Sequence, residues 1–149
     1  CGFAPCTAEA VIELLKYYNI EISGKNAVVL GRSQVIGKPA AMLLLEENAT
    51  VTMCHSKTSK LKEICKKADI IVAAMGRAEM IDEDYLSADQ TIIDVGINVG
   101  ADGKMCGDVK ESAKEAFAAK YTPVPGGVGS MTSTILMKHV IEAAERTVV

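Results

Sequence analysis

Residues 27–39 read AVVLGRSQVIGKP, and this stretch decides the fold. A short β-branched and apolar run, residues 27–30, ends at Gly31, and a helix-forming run, residues 40–47, begins directly after Pro39. Proline is well suited to the first turn of a helix, because it has no N–H to satisfy there. The stretch therefore predicts a strand, a loop and a helix. In open α/β sheets such a loop lies at the carboxyl end of its strand, where ligands bind.

The alternation of strand and helix continues along the whole chain. We expect further strands at residues 50–53, 70–74 and 91–95, helices at residues 7–18, 61–67, 109–119 and 131–146, and a loop at residues 122–129. Strands that are apolar on both faces are typical of a parallel sheet covered by helices. The length of 149 residues suits one hydrophobic core. The sequence predicts one α/β domain over residues 1–149, a Rossmann-type, doubly wound, mostly parallel sheet with helices on both faces.

Composition excludes several classes of function. Hydrophobic residues make up 49% of the chain and charged residues 23%, and the formal net charge is -3, so we expect no nucleic-acid partner. The chain has no apolar run near the 18 or so residues that a membrane span needs. The five cysteines are odd in number and lack C-x-x-C spacing, which favours reduced thiols and no metal site. We expect a cytoplasmic protein, and because the sequence starts with Cys1 rather than Met, we expect it to be a piece of a longer one.

The loop after the first strand does not match a standard nucleotide motif. Gly31 and Gly37 are separated by five residues, which differs from the G-x-G-x-x-G fingerprint. A P-loop needs four intervening residues and a hydroxyl at the position where Pro39 stands. Glycine spacing alone leaves two interpretations open, an ordinary turn and a phosphate-binding loop.

The end of the second strand favours the phosphate-binding interpretation. NAD-binding domains usually have Asp or Glu there to bind the ribose 2′-hydroxyl, whereas residues 54–58 read Cys-His-Ser-Lys-Thr. Arg32 and Ser56 offer donors to a 2′-phosphate, while Lys57 is equally suited to face water. His55 is interpreted as a turn or packing residue. The chemistry of this turn favours NADP over NAD.

Three further glycine-bearing segments end strands or precede a helix. Gly76 and Gly96 follow the third and fourth strands, and Ile97 could pack against the nicotinamide side of a dinucleotide. Residues 122–132 contain two prolines and three glycines and lead into the last helix, more than a helix cap requires. Plain turns remain the alternative for the two strand ends. We interpret the third segment as a ligand-binding loop.

The combination of motifs resembles a known family. The chain is similar over essentially its whole length to the bifunctional methylenetetrahydrofolate dehydrogenase/cyclohydrolase (FolD) family. The segments that carry the resemblance are Pro5-Cys6-Thr7, Gly31-Arg32-Ser33 with Gly37 and Pro39, Cys54-His55-Ser56-Lys57-Thr58, Asp94-Val95-Gly96-Ile97-Asn98, Gly107-Asp108-Val109, and Thr122 to Gly129.

The resemblance implies an enzyme of one-carbon metabolism. Such enzymes are cytosolic and usually homodimeric, oxidise 5,10-methylenetetrahydrofolate with NADP, and hydrolyse the methenyl product to 10-formyltetrahydrofolate. The residues that would contact NADP by this resemblance are Gly31, Arg32, Ser33, Ser56 and Ile97. Those that would form one wall of the tetrahydrofolate site are Pro125, Gly126, Gly127, Val128, Gly129, Ser130, Met131, Thr132 and Ser133.

The same resemblance implies that the catalytic groups lie elsewhere. The family's catalytic lysine belongs to a Tyr-x-x-x-Lys motif in a preceding folate-binding domain, and the present sequence has no such motif. We therefore expect this chain to bind the cofactor without catalysing a reaction by itself. Ser130 and Ala8 stand where the family usually has proline. Another Rossmann dehydrogenase module and a non-catalytic nucleotide-binding module remain the alternatives.

Overall fold

The computed structural model describes residues 2–147. It contains a five-stranded parallel sheet with helices on both faces. The elements in chain order are α1 (Cys6–Tyr17), β1 (Asn26–Leu30), α2 (Gly37–Glu46), β2 (Thr50–Cys54), α3 (Leu61–Lys66), β3 (Ile70–Ala73), a 3₁₀ turn (Glu83–Tyr85), β4 (Gln90–Asp94), β5 (Asn98–Val99), β6 (Met105–Cys106), α4 (Glu111–Phe117), β7 (Ala118–Tyr121) and α5 (Val128–Thr147).

The strand order of the main sheet creates a crevice next to β1. The order is β2-β1-β3-β4-β7, with every pair parallel. After β2 the chain crosses back over β1 to form β3 on its other side, so the direction of winding reverses between β1 and β3. In open α/β sheets, ligands bind at the carboxyl ends of the strands beside such a reversal. The predicted fold class is confirmed, and the loop after β1 lies at this point.

Two hydrophobic cores cover the two faces of the sheet. On one face, Val29 and Val72 pack beneath α1, α2 and α5. On the other, Val28 and Ile71 pack against residues of α3 and α4. These side chains are at most 3% exposed, and burying each contributes about 1.5–3 kcal/mol. Because successive strand residues point to opposite faces, runs that are apolar at every position suit a sheet buried on both sides.

The region after β4 differs most from the sequence-based expectation. The predicted helix over residues 109–119 ends at Phe117, and the chain continues as β7. Pairing of β7 with β4 overrides the helix preference of its alanines. The last helix begins at Val128 instead of residue 131, and Val128 is buried in the core. The β5–β6 hairpin was not predicted, since two-residue strands carry too little periodicity to be recognised.

Two features of the described residues concern membranes and metal ions. Within residues 2–147, no helix combines the length and the apolar character that crossing a membrane requires. The same part of the chain contains no group of three or more His, Cys, Asp or Glu side chains placed to hold a metal ion.

Candidate functional site

A cleft of about 480 Å³ lies at the carboxyl ends of β1, β2 and β3, and we call it the nucleotide cleft. The loops after these three strands supply most of its walls. The lining residues are Gly31, Arg32, Ser33, His55, Ser56, Thr58, Leu61, Ala74, Met75, Arg77, Met80 and Tyr85. The structure thus brings together four of the five residues that the sequence analysis associated with NADP.

Gly31 allows the loops after β1 and β3 to approach each other closely. Its φ angle is +114°, a conformation that side chains other than glycine rarely adopt. A Cβ atom at this position would overlap the carbonyl oxygen of Ala74. Glycine is therefore required here by both backbone conformation and space, and it brings the β1 and β3 loops into contact at the centre of the crevice.

Ser33 organises the start of α2 while keeping its own proton free. Its Oγ accepts hydrogen bonds from the N–H groups of Ile36 (3.1 Å) and Gly37 (3.2 Å), and its carbonyl accepts one from Lys38 (3.0 Å). These acceptors satisfy the N–H groups that would otherwise be unpaired at a helix start. The hydroxyl proton of Ser33 remains available to an acceptor in the cleft.

The remaining donors of this loop are not paired with any other residue that the structure describes. Within residues 2–147, the backbone N–H groups of Arg32, Ser33, Gln34 and Val35 donate no hydrogen bond to another residue. Consecutive unpaired N–H groups form a site that attracts anions. The loop from Arg32 to Val35 is therefore suited to bind phosphate oxygens through its backbone.

The charge of the nucleotide cleft is positive. Arg32 and Arg77 line it and are exposed, and none of its twelve lining residues carries a carboxylate. Lys57 is exposed and does not line the cleft. His55 accepts a hydrogen bond from the N–H of Lys57 at Nδ1 (3.2 Å), which supports a role in the turn.

A second cavity of about 300 Å³ lies at the end of β4, and we call it the glycine-loop cavity. It is lined by Ile97, by residues 94–96, by Met105 and by residues 123–130. Ile97 is 65% exposed, an unusual position for a large apolar side chain. Of the predicted tetrahydrofolate wall, the residues from Pro125 to Ser130 line this cavity.

Met131, Thr132 and Ser133, the remaining residues of that wall, lie on α5 and do not line the cavity. The hydroxyl of Thr132 lies 3.3 Å from that of Thr7 and donates to the carbonyl of Val128 (3.2 Å). The structure thus divides the nine residues of the predicted wall between a loop and the start of a helix.

Asp108 links the loop after β3 to the segment that follows β4, a role that its place in the Gly107-Asp108-Val109 segment did not reveal. One carboxylate oxygen accepts from the N–H groups of Met75 (2.5 Å) and Gly76 (3.0 Å), and the other accepts from Arg77 N (2.9 Å) and Asn98 Nδ2 (2.9 Å). The side chain is fully buried. Asp108 therefore fixes the loop that carries Arg77 relative to the segment that follows β4.

A buried ion pair supports this arrangement from beneath. Lys114 Nζ lies 3.1 Å from Asp94 Oδ2, and both side chains are inaccessible to solvent. Asp94 also accepts from the N–H groups of Asp108 and Val109, at 3.0 Å each. Burial raises the pKa of Asp94, and the Lys114 ammonium and these two N–H groups oppose that effect. A Cβ atom at Gly107 would overlap the Asp94 carboxylate, which explains the glycine there.

The sequence contained only partial signals for these groups. A single Asp at a strand end does not reveal whether it faces a ligand or its own backbone. Lys114 lies in a segment that reads as an amphipathic helix surface, where lysine is normally solvated. Arg77 follows a glycine-bearing strand end that the sequence analysis recognised, but its place in the nucleotide cleft depends on Asp108.

Comparison with known proteins shows which family the chain belongs to. Residues 5–148 match the family model described as the tetrahydrofolate dehydrogenase/cyclohydrolase, NAD(P)-binding domain. The chain is 60% identical over 146 residues to the bifunctional protein FolD of Carboxydothermus hydrogenoformans, an overlap of 97% of this chain and 51% of that protein. The chain thus spans about half the length of the curated relatives it matches.

Solved structures of proteins of the same family resemble this chain closely. A bifunctional FolD methylenetetrahydrofolate dehydrogenase/cyclohydrolase from Campylobacter jejuni superposes with a TM-score of 0.95 at 40% identity, covering 98% of this chain and 52% of that one. The Trypanosoma brucei FolD, complexed with NADP cofactor and inhibitor, gives a TM-score of 0.91 at 39% identity, with coverages of 98% and 52%. This chain belongs to the tetrahydrofolate dehydrogenase/cyclohydrolase family and corresponds to its NAD(P)-binding domain.

Proposed function

We propose that this chain binds NADP in the nucleotide cleft for an enzyme that oxidises 5,10-methylenetetrahydrofolate and hydrolyses the methenyl product to 10-formyltetrahydrofolate. The observation that carries the choice of cofactor is the pair of exposed guanidinium groups, Arg32 and Arg77, in a cleft whose lining residues include no carboxylate. A carboxylate would repel a 2′-phosphate, whereas guanidinium groups bind phosphate oxygens in two-point contacts. The NADP complex of the Trypanosoma brucei relative supports this proposal.

Different residues of the cleft are assigned to different parts of NADP. Arg32 and Ser56 are assigned to the 2′-phosphate, because Ser56 follows β2, where NAD-binding domains have an acidic residue, and Arg32 lines the same cleft from the loop after β1. The unpaired N–H groups of the loop after β1 and the hydroxyl of Ser33 are assigned to the diphosphate. Gly31 lets the backbone come close to the cofactor. NADP, when bound, supplies the acceptor for a hydride.

The glycine-loop cavity is assigned to the junction of nicotinamide and folate. Exposed Ile97 offers an apolar surface to the nicotinamide side of the cofactor. Residues 125–130 offer a wall rich in glycine, where backbone can approach a flat ligand. Met131, Thr132 and Ser133 continue that wall along the first turns of α5. This chain would hold and orient the two reactants without supplying a proton or a nucleophile.

The proposal includes the rest of the protein. A folate-binding domain that precedes this chain would supply the catalytic groups, in keeping with relatives of about twice the length. The chain alone would then bind NADP and catalyse nothing. The whole protein is proposed to act in the cytoplasm as a homodimer, and exposed apolar residues on α5, such as Leu136 and Met137, are available for contacts beyond this chain.

Titration of the chain with NADP and NAD tests the cofactor assignment. Arg32→Ala is expected to weaken NADP binding by about 1.5–3 kcal/mol, the usual range for a hydrogen bond to a charged group, and to leave NAD binding nearly unchanged. Arg146→Ala is the matched control, because Arg146 is an exposed arginine outside the nucleotide cleft. Calorimetry or quenching of a fluorescent cofactor analogue measures both dissociation constants.

Two outcomes would count against the proposal. Equal weakening of NADP and NAD by Arg32→Ala would show that Arg32 does not contact the 2′-phosphate. Absence of NADP binding by the unaltered chain at millimolar cofactor would contradict the assignment of the whole cleft.

A further inference from the structure

Three side chains between α1 and α5 form a connected series that the proposed function does not use. Cys6 Sγ lies 3.6 Å from His139 Nδ1, and His139 Nε2 lies 2.7 Å from Glu9 Oε2. Cys6 and Glu9 are one turn apart on α1, and His139 lies on α5. Thiol, imidazole and carboxylate therefore follow one another within hydrogen-bonding reach, the order found where a nucleophile is activated by an adjacent base.

His139 is held so that one ring nitrogen points at the thiol. The residue is 7% exposed, and the ring of Phe3 stacks on it with centroids 4.6 Å apart. The carboxylate of Glu9 accepts a hydrogen bond from Nε2–H, which leaves the lone pair of Nδ1 directed toward Cys6. The imidazole is thus oriented as a hydrogen-bond acceptor for the thiol.

Glu9 is itself fixed as the charged member of the series. Its second oxygen accepts a hydrogen bond from Lys138 Nζ at 3.1 Å. Burial raises the pKa of Glu9, but the hydrogen bonds from His139 and Lys138 lower it by more. The pKa of Glu9 therefore lies below its usual value. The carboxylate is therefore ionised at neutral pH and can stabilise a positive charge on His139.

Cys6 differs from the other cysteines in its surroundings. It is the first residue of α1, where the helix dipole favours a negative charge, and it is partly exposed. Cys54 and Cys65 are buried, and burial raises the pKa of Cys65 to about 12. Cys106 is also partly exposed, but burial and the nearby carboxylates of Glu79 and Asp102 raise its pKa.

We propose that Cys6 is a site of covalent thiol modification, with His139 as its base and Glu9 as the residue that orients the base. The reaction partner is a low-molecular-weight disulfide. The Cys6 proton moves to His139 Nδ1, and the thiolate attacks one sulfur of the disulfide, whose S–S bond breaks. The released thiolate takes the proton from His139. Cys6 is oxidised to a mixed disulfide and half of the reagent is reduced to a thiol.

The position of Cys6 gives such a modification a direct consequence. The neighbouring Thr7 contacts Thr132, which lies on the first turns of α5 after the glycine-rich loop. A group attached to Cys6 would therefore stand beside that loop.

The rate of reaction with 4,4′-dithiodipyridine tests this proposal on single accessible thiols. Cys1 lies outside the described residues, so every variant carries Cys1→Ser. Adding Cys106→Ser leaves Cys6 as the exposed thiol, and adding Cys6→Ser leaves Cys106 instead. Released thiopyridone is followed by absorbance at pH 7, and mass spectrometry of peptides locates the modified residue. We expect Cys6 to react at least about tenfold faster than Cys106.

A second comparison isolates the base. His139→Gln in the Cys6 chain is expected to slow the reaction about tenfold or more, whereas His55→Gln, which alters the other histidine, leaves the rate unchanged. Circular dichroism checks that each variant folds. Equal rates for Cys6 and Cys106 would overturn the proposal, and this comparison does not depend on the folding of a histidine variant. Undiminished reactivity of a folded His139→Gln chain would overturn the role of the base.

Discussion

The two ends of the sheet crevice use charged and polar groups in opposite ways. After β1, the N–H groups of Arg32 to Val35 have no partner within the described residues, and the Arg32 side chain is exposed. After β4, the carboxylates of Asp94 and Asp108 are buried and receive several N–H donors each. Both regions follow parallel strands of one sheet, but the first leaves its donors unpaired within the described residues, and the second pairs its carboxylates with internal donors.

The difference predicts that cofactor binding depends on the β1 end and stability on the β4 end. A buried charged group whose partner is removed destabilises the folded state strongly, because the remaining charge has lost both water and its partner. An exposed group that awaits a ligand contributes little to folding, since water solvates it in both states. Substitutions at the β4 end should therefore affect unfolding, and substitutions at the β1 end should affect cofactor binding.

The largest expected effect comes from Lys114→Met. The substitution leaves the buried Asp94 carboxylate without its ammonium partner at 3.1 Å. We expect the free energy of unfolding to fall by about 3–5 kcal/mol, as for other buried ion pairs that lose one member. Equilibrium unfolding in urea, followed by circular dichroism, measures the change.

Lys110→Met is the matched control for Lys114→Met. Lys110 also pairs with a carboxylate, that of Glu83 at 3.5 Å, but both of these side chains are more than 40% exposed. The control should change stability by less than about 0.5 kcal/mol. If the two variants lost equal stability, the Lys114–Asp94 pair would not be the support of the β4 end.

Prediction from sequence succeeded where a pattern repeats and was wrong where tertiary contacts decide. The first four strands of the main sheet and the first three helices follow from apolar runs and their spacing, and their boundaries agree within a few residues. The strand β7 could not be predicted, because its alanines acquire their strand conformation by pairing with β4.

The candidate site divides in the same manner. Arg32 and Ser56 were predicted from the chemistry of strand ends, and Gly31 and Ser33 from the family resemblance; all four line the nucleotide cleft. The structural roles of Asp108 and Lys114 were missed, because they depend on burial and on partners distant in sequence. A carboxylate or ammonium group has the same appearance in the sequence whether it meets water or a buried counter-charge.

Ser33→Ala should have an intermediate effect, because it should lower both the stability of the fold and the affinity for the cofactor. The loss of Oγ leaves the N–H groups of Ile36 and Gly37 without their acceptor at the start of α2, and we expect a loss of about 0.5–2 kcal/mol in stability. Because the assigned diphosphate is common to both cofactors, NADP and NAD binding should weaken to the same extent. Unfolding in urea and titration with each cofactor measure these changes.

Ser59→Ala serves as the comparison for Ser33→Ala, since Ser59 is exposed and does not line the nucleotide cleft. It should leave both stability and cofactor affinity unchanged. Selective loss of NADP binding in Ser33→Ala would place Ser33 at the 2′-phosphate instead of the diphosphate.

The smallest expected effect is that of salt on cofactor binding. Salt should act differently on the β1 end and the β4 end of the crevice, and testing this needs no substitution in a loop. Raising sodium chloride from about 0.1 M to about 1 M shortens the Debye length from about 10 Å to about 3 Å. NADP binding should weaken several-fold and more than NAD binding, because its additional phosphate is assigned to the exposed Arg32. The stability lost in Lys114→Met should stay the same, since Lys114 and Asp94 are both inaccessible to solvent. Equal salt dependence for NADP and NAD would mean that the extra phosphate is held by uncharged donors.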